Sequence, residues 1–328
     1  MENKKKVIKK IGYIYFIFCF IFCLLVTLLP WWPSVEILNI PKYILLFAPR
    51  YWLLIVVIGL FAFWRYLSRL QLQLSPLLIV LSFNYLDFQL PIFWEQQNNS
   101  KNKIKIITAN IGEGGKTKQV KLLIKLAKPD VILLQEAHRL NMSILVDKSY
   151  YSECVASLCI ASKYPFERIK VLSRRFFDHW GSFGVLYRLK SEQGDIYLAN
   201  VHLESVHELL VDIAHGELNV DKVNVVDNNR YIQASVLSMW AKNKEKFIIA
   251  GDFNMPDNDN IYQQNFATFS NAINVGAYGV NNTLYTPLHG LRIDHILYSE
   301  NFGLSSVKVL DSLGGDHRPL MAIFNVNN

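Results

Sequence analysis

The chain has 328 residues, 51% of them hydrophobic, with a mean hydropathy of +0.17 and a formal net charge of +7. It is too apolar for an ordinary soluble domain, too polar for a pure transporter, and long enough for an anchor plus one domain. The charge does not mark a nucleic-acid-binding face: residues 1–100 hold nine Lys/Arg against four acids, net +5, and the rest is only net +2.

Lys4, Lys5, Lys6, Lys9 and Lys10 precede 11–29, a run of 19 residues without a charge, enough to cross a hydrocarbon core of ~30 Å. Pro30-Trp31-Trp32-Pro33 follows as an interfacial belt and helix stop. A cleaved signal peptide has a shorter apolar region and a small-residue cleavage site, and neither is seen. Two more apolar runs follow, 43–64, interrupted by Pro49 and Arg50, and 74–94, which contains Asp87. Residues 1–97 are therefore expected to form a bundle of about three transmembrane helices (11–29, 43–64 and 74–94). Asp87 reads as an intramembrane acid or, better, as an interfacial one, since the run is already polar after Ser82. Cations cluster before the first run and between the second and third, which places the N-terminus in the cytoplasm. Three crossings then put the C-terminal domain outside it. The expectation is an integral protein of a bacterial-type inner membrane, with the bilayer as partner; no protein partner is indicated. Cys19 and Cys23 share one helical face of the first run and read as membrane-core residues. A polar linker at 98–103 follows.

From 104 onward the chain reads as an ordinary globular domain. Alternation in Lys103–Thr108 predicts a strand with one buried face. Thr117–Ala127 predicts a helix, with Val120, Leu123, Ile124 and Ala127 inward and lysines 118, 121, 125 and 128 as a solvated or phosphate-binding face. Short strands are predicted at 131–134, 158–161, 183–188, 195–201, 247–250, 293–298, 306–310 and 320–326. Helical material is predicted at 204–240, with an excursion at 216–227, and again at 261–271. Many short strands with a few helices between them indicate two packed sheets with outer helices, an α+β class. Cys154 and Cys159 are spaced for a disulfide across a tight hairpin in an oxidising compartment, or for two buried thiols.

Polar residues recur where apolar strands end, the usual place for a scaffold to present chemistry. IKIITANI presents Asn110, DVILLQEA Glu136, DIYLANVHLES His202, FIIAGDFNMPD Asp252 and Asn254, and LGGDHRPL Asp316 and His317. Asp294 lies inside the strand-like LRIDHILYS. Singly, each has a plain structural explanation as a turn former, helix cap or satisfied interior group. The ordered set does not.

TANI, QE, VHL, GDFN, RIDHIL and GDHRPL, in that order, closely resemble the endonuclease/exonuclease/phosphatase superfamily, the deoxyribonuclease-I-like fold. The resemblance covers essentially all of residues 104–328 and implies a four-layer αββα sandwich with the site at one edge. It implies Glu136 as principal metal ligand with Asn110 beside it, and Asp316 as a further metal-side acid. Asp252 would orient or deprotonate the attacking water, and Asn254 would position it or hold a phosphate oxygen. His202 and His317 would bind nonbridging oxygens, and Asp294 would hold His317. Between Asp252 and His317 as general base, Asp252 is favoured. Mg²⁺ suits the hard oxygen donors, Mn²⁺ could replace it, and no Cys/His cluster has zinc spacing.

The expected function is metal-dependent hydrolysis of a phosphodiester: nucleic acid, nucleotide or phospholipid. A lipid phosphodiesterase working on the adjacent bilayer and an inactive phosphate-binding module are the alternatives. The MPD after GDFN departs from the inositol-polyphosphate phosphatases, and a near-neutral domain gives no electrostatic case for long duplex DNA. Among lesser candidates, Arg230 reads as a substrate-facing cation or, better, a packed or salt-bridged one. Ser162-Lys163-Tyr164-Pro165 reads as structural or cleft-lining, and His179-Trp180 as substrate-touching or a surface turn.

Overall fold

The computed structural model describes residues 2–33, 35–91, 102–112 and 116–326. The chain divides into two compact units, residues 1–88 and 89–328.

In the first unit, α1 (Glu2–Thr27) is 26 residues long, and it is the one described helix long and apolar enough to cross a membrane by itself. The expected 43–64 span is not one straight helix. α2 (Glu36–Phe47) and α3 (Tyr51–Ile58), the latter extended by a 3₁₀ turn Gly59–Phe63, meet at 81° across Ala48–Arg50. Pro49 denies the helix a backbone donor at that break. Arg50 caps the bend, donating to the carbonyls of Leu46 (2.9 Å from Nη2) and Tyr85 (3.3 Å from Nη1). The pair counts as a second crossing only if it is one broken span.

The expected third span at 74–94 is corrected: α4 (Arg69–Tyr85) has 17 residues, about 26 Å at ~1.5 Å per residue. Gln71, Gln73, Ser75 and Asn84 lie along it. Ser68 and Gln71 start it with a reciprocal capping box. Asp87 lies past its C-terminal end at φ 61°, and residues 92–94 lie outside the described residues. A three-helix transmembrane bundle is thus replaced by one candidate span, or two. Linker residues 98–101 also lie outside the described residues, and Lys103 already opens a strand.

The second unit is built of two six-stranded sheets. The first contains β1 (Lys103–Asn110), β2 (Val131–Gln135), β3 (Tyr151–Val155) and β4 (Leu158–Ser162). The second contains β5 (Phe166–Ser173), β6 (Ser182–Ser191), β7 (Gly194–His202), β8 (Phe247–Asp252), β9 (Ser270–Asn271) and β10 (Asp294–Tyr298). β11 (Phe302–Val309) and β12 (Leu320–Val326) return to the first. The orders are β11-β12-β1-β2-β4-β3 and β9-β10-β8-β7-β6-β5. Each sheet has a single parallel pair, β1 with β2 and β7 with β8. A parallel pair needs a crossover: α5 (Thr117–Ala127) supplies the first, α6 (His207–Ala214) and α7 (Val220–Lys242) the second. The expected excursion at 216–227 shrinks to 216–219, because Asn219 caps α7 through the Lys222 amide.

Strand alternation divides the apolar residues between two layers. Ile104, Ile106, Val131 and Leu133 meet Leu198, Ile248, Ala250 and Ile296 between the sheets. Ile107, Ala109, Ile132 and Leu134 pack outward on Val120 and Ile124 of α5. Ala199, Val201 and Ile249 pack outward on Ala234, Leu237 and Ala241 of α7. The result is the αββα sandwich expected from the sequence. Cys154 and Cys159 face each other across the β3–β4 hairpin and are joined in a disulfide.

A polar bridge crosses the apolar layer. Gln135 Nε2 donates to Asn200 Oδ1 (2.7 Å) and Thr108 Oγ1 (3.1 Å). Asn200 Nδ2 donates to the carbonyls of Cys159 (3.0 Å) and Leu134 (3.3 Å). Buried amides demand such partners. This bridge fixes the register of β2 against β7 one residue before Glu136 and two before His202.

Candidate active site

Both parallel pairs end on the same side of the sandwich, and the conspicuous polar residues stand at their C-terminal ends. Asn110 is opposite Gln135 in the first sheet, and Glu136 follows at a left-handed φ of 54°. In the second sheet Asp252 is in register with His202 on one side and Asp294 on the other. Three site residues thus sit abreast on adjacent strands. The preceding Gly251 permits this closeness: at φ 150°, a Cβ there would lie 2.0 Å from the Val201 carbonyl oxygen. Asn254, at φ 50°, closes the turn, its amide N–H donating to Asp252 Oδ1 (2.8 Å) and its Nδ2 to the Leu203 carbonyl (3.0 Å).

Asn110 joins the two sheets at the site. Its Nδ2 donates to Glu136 Oε1 (2.9 Å) and to Asp252 Oδ2 (3.0 Å), while its Oδ1 accepts from the Gly112 amide (3.0 Å). His202 Nε2 lies 3.7 Å from both Glu136 Oε1 and Asp252 Oδ2. His317 Nε2 lies 3.8 Å from Asp252 Oδ2, and its Nδ1 is 2.9 Å from Asp294 Oδ2. Seven of the eight expected residues therefore form one connected cluster. Asp316 is next to it, on the wall of the same cleft, with an exposed carboxylate.

The charges are mutually adjusted. Burial, and then the Asp294 carboxylate, push Asp252 above the usual carboxylate range, against the pull of His317 and His202. Burial works against the charge of His317, but Asp294 and Asp252 outweigh it and hold its pKa up at about 10. Burial lowers His202, assisted by Arg174 and His317 and opposed by Asp252. Asp252, Asp294 and His317 each bring a ligand-type atom within 4.8 Å of the others. Among the described residues, Asp294 Oδ1 is buried with no hydrogen-bond partner, an arrangement that invites a cation or a bound proton. The oxygen-rich donor set of Glu136, Asn110 and the aspartates suits a hard divalent ion.

A cleft of about 1000 Å³ opens over Glu136, His202, Asp252, Asn254 and His317. Sequence reading missed Arg174, a cation on its wall. Its Nη1 donates to Glu204 Oε2 (2.6 Å) and its Nη2 to the His202 carbonyl (2.6 Å). It follows β5, a strand not predicted from the sequence, and no local motif marks it. Gln233 completes this support, accepting from the Glu204 amide (2.9 Å). His179 and Trp180 line the cleft, Trp180 being 86% exposed. Arg230 does not face the cleft. It is fully buried, bridging the Asn254 carbonyl and Asp259 Oδ2 at 2.9 Å each, and so supports the turn that carries Asn254. Lys163 pairs with Asp130 at 2.9 Å, at the opposite end of β2 from Glu136, so the 162–165 segment is structural.

The model of the endonuclease/exonuclease/phosphatase family matches residues 107–317. No curated protein matches the chain in sequence. Solved structures share its fold at low identity. The endonuclease/exonuclease/phosphatase of Beutenbergia cavernae is 13% identical with a TM-score of 0.53, over 70% of this chain and 72% of that one. The 3′ phosphatase NExo from Neisseria, bound to a product DNA hairpin, is 15% identical with a TM-score of 0.50, over 67% and 99%. A humanized D. rerio TDP2 is 17% identical with a TM-score of 0.51, over 68% and 99%. With its six motifs gathered at one sheet edge and the family match spanning residues 107–317, the chain belongs to the endonuclease/exonuclease/phosphatase family, whose members hydrolyse phosphoric ester bonds.

Proposed function

We propose that the chain is a membrane-anchored, divalent-metal-dependent phosphodiesterase, with nucleic acid or nucleotides as its substrate class. The observation that carries this is the buried Asp252, held by Asn110 and flanked by two histidines within 3.8 Å. In-line hydrolysis needs an oriented water, relief of charge on the phosphoryl oxygens and a stabilised leaving oxygen. Glu136, with Asn110 beside it and Asp316 on the wall, would hold Mg²⁺ or Mn²⁺; the ion would supply charge neutralisation at the phosphate. Asp252, raised above the ordinary carboxylate range, is suited to take a proton from water. Asn254 positions that water. His317, kept cationic by Asp294 and Asp252, and His202 receive the nonbridging oxygens, where negative charge must be stabilised. The product DNA hairpin bound to the NExo relative favours the nucleic-acid class.

Anchoring through α1 is supported by its length and apolar composition and by the lysines that precede 11–29. An extracytoplasmic position agrees with a single crossing from a cytoplasmic N-terminus and with the Cys154–Cys159 disulfide. The test uses the full chain in detergent with Mg²⁺, on bis-p-nitrophenyl phosphate, single-stranded and duplex DNA, RNA and phospholipid vesicles. Asp252→Ala and His317→Ala should each abolish metal-dependent hydrolysis with the melting transition retained; equal activity in all three proteins rejects the assignment. Turnover of phospholipid alone replaces the substrate class. A reporter after Asn328 that signals from the cytoplasm rejects the topology.

A further inference from the structure

Helix α5 lays Val120 and Ile124 against the first sheet. Its outward face carries Lys118, Lys121 and Lys125 beside Leu122 and Leu126, which are 55% and 73% exposed. Lys128 ends the helix, and no acid occurs within it. Residues 101–328 together are only net +2, so this concentration of positive charge is local to the helix. A water-facing surface accounts for the lysines but not for two leucines one turn apart on the same face. A nucleic-acid backbone would engage the lysines and leave both leucines in water. An anionic lipid interface satisfies both at once: leucines enter the acyl boundary while lysine stems reach outward to phosphates.

We propose that the outward face of α5 is a docking surface for anionic phospholipid, separate from the catalytic cleft. Docking of this kind adds a second, charge-dependent contact to the apolar tether, which holds the weakly binding face of α5 at a high effective concentration near the bilayer. It presupposes the membrane anchoring inferred above.

The experiment uses the full chain with Cys19→Ala and Cys23→Ala and a nitroxide attached at Leu126→Cys, reconstituted in lipid nanodiscs. The readout is the ratio of nitroxide accessibility to oxygen and to a water-soluble nickel chelate. With phosphatidylglycerol discs the ratio should rise several-fold over that in pure phosphatidylcholine, and Lys118→Glu/Lys121→Glu/Lys125→Glu should return it to the phosphatidylcholine value. A water-like ratio in both lipids, or a lipid-like ratio unaffected by charge reversal, overturns the proposal. So does a fall in accessibility on adding duplex DNA with none on adding anionic lipid. Incorporation into discs is scored separately by size exclusion, and its failure counts against the anchoring. The label is then read against added phosphatidylglycerol vesicles, with the same opposed outcomes.

Discussion

In the first sheet β1 and β2 run parallel around α5; in the second β7 and β8 run parallel around α6 and α7. Each pair ends in an acid, but the acids differ. Glu136 leaves the ladder at a left-handed φ and keeps 31% of its side chain exposed. Asp252 stays in the ladder, has strand neighbours on both sides, and is 1% exposed. One residue of displacement from the hydrogen-bonded ladder thus yields an accessible carboxylate in one sheet and a desolvated one in the other. The accessible acid is suited to hold a hydrated cation, the buried one to hold or pass a proton.

This division of labour can be broken most sharply at Asp252. Asp252→Asn preserves its shape and its contact with the Asn254 amide while removing the base, and kcat is expected to fall by about 10²–10⁴-fold. Single-turnover rates within tenfold of the parent would end the assignment. The exclusion of charge from the second sheet has its own signature at His295, which is fully buried beside Asp294. Burial, reinforced by Arg292, lowers its pKa to about 4. The folded value lies below the ordinary ~6.5, so its stabilising contribution is complete above pH 6.5 and is lost as pH falls toward 4, about 3 kcal/mol in all. Urea unfolding of the detergent-solubilised chain between pH 7 and pH 4 should show that loss, and His295→Gln should reduce it, leaving the smaller share carried by the other lowered histidine, His202.

In the first sheet, Glu136→Gln should raise the Mg²⁺ concentration for half-maximal activity by at least about 10–100-fold, the cost of losing even a partner that only orients a metal ligand, with rate recovering at high Mg²⁺. A lower rate with unchanged metal dependence would move Glu136 out of the metal site. Gln135→Leu leaves Asn200 Oδ1 buried without its donor across the sheets and should cost about 1–3 kcal/mol, measured by denaturant midpoint. A neutral result would mean that the apolar layer alone sets the register between β2 and β7.

The strands and their polar ends were legible because alternation and strand-terminal Asn, Glu, His and Asp are local signals. TANI, QE, VHL, GDFN, RIDHIL and GDHRPL supply the eight expected positions, seven of which the fold gathers into one hydrogen-bonded or close-packed cluster. Arg174 was invisible for the opposite reason: it acts through Glu204 and the His202 carbonyl, about 30 residues away in sequence, and carries no pattern of its own. Arg230, better read from the sequence as packed or salt-bridged than as substrate-facing, is indeed buried against Asp259, but its partner was not legible in the sequence. In the N-terminal unit, hydropathy found three apolar runs but could not see that the second bends by 81° at Ala48–Arg50 or that the third stops as a helix at Tyr85.

Sequence by itself determined which residue types stand at strand ends, and therefore the family and the class of bond attacked, because those signals are written within a few residues of each other. Only the tertiary structure decided that Asn110 spans the two sheets to touch both acids, that Asp252 is desolvated while Glu136 is not, and that, among the described residues, the second and third apolar runs form no single helix long enough to span a bilayer. Each of these depends on through-space neighbours and on burial, which no local spacing encodes.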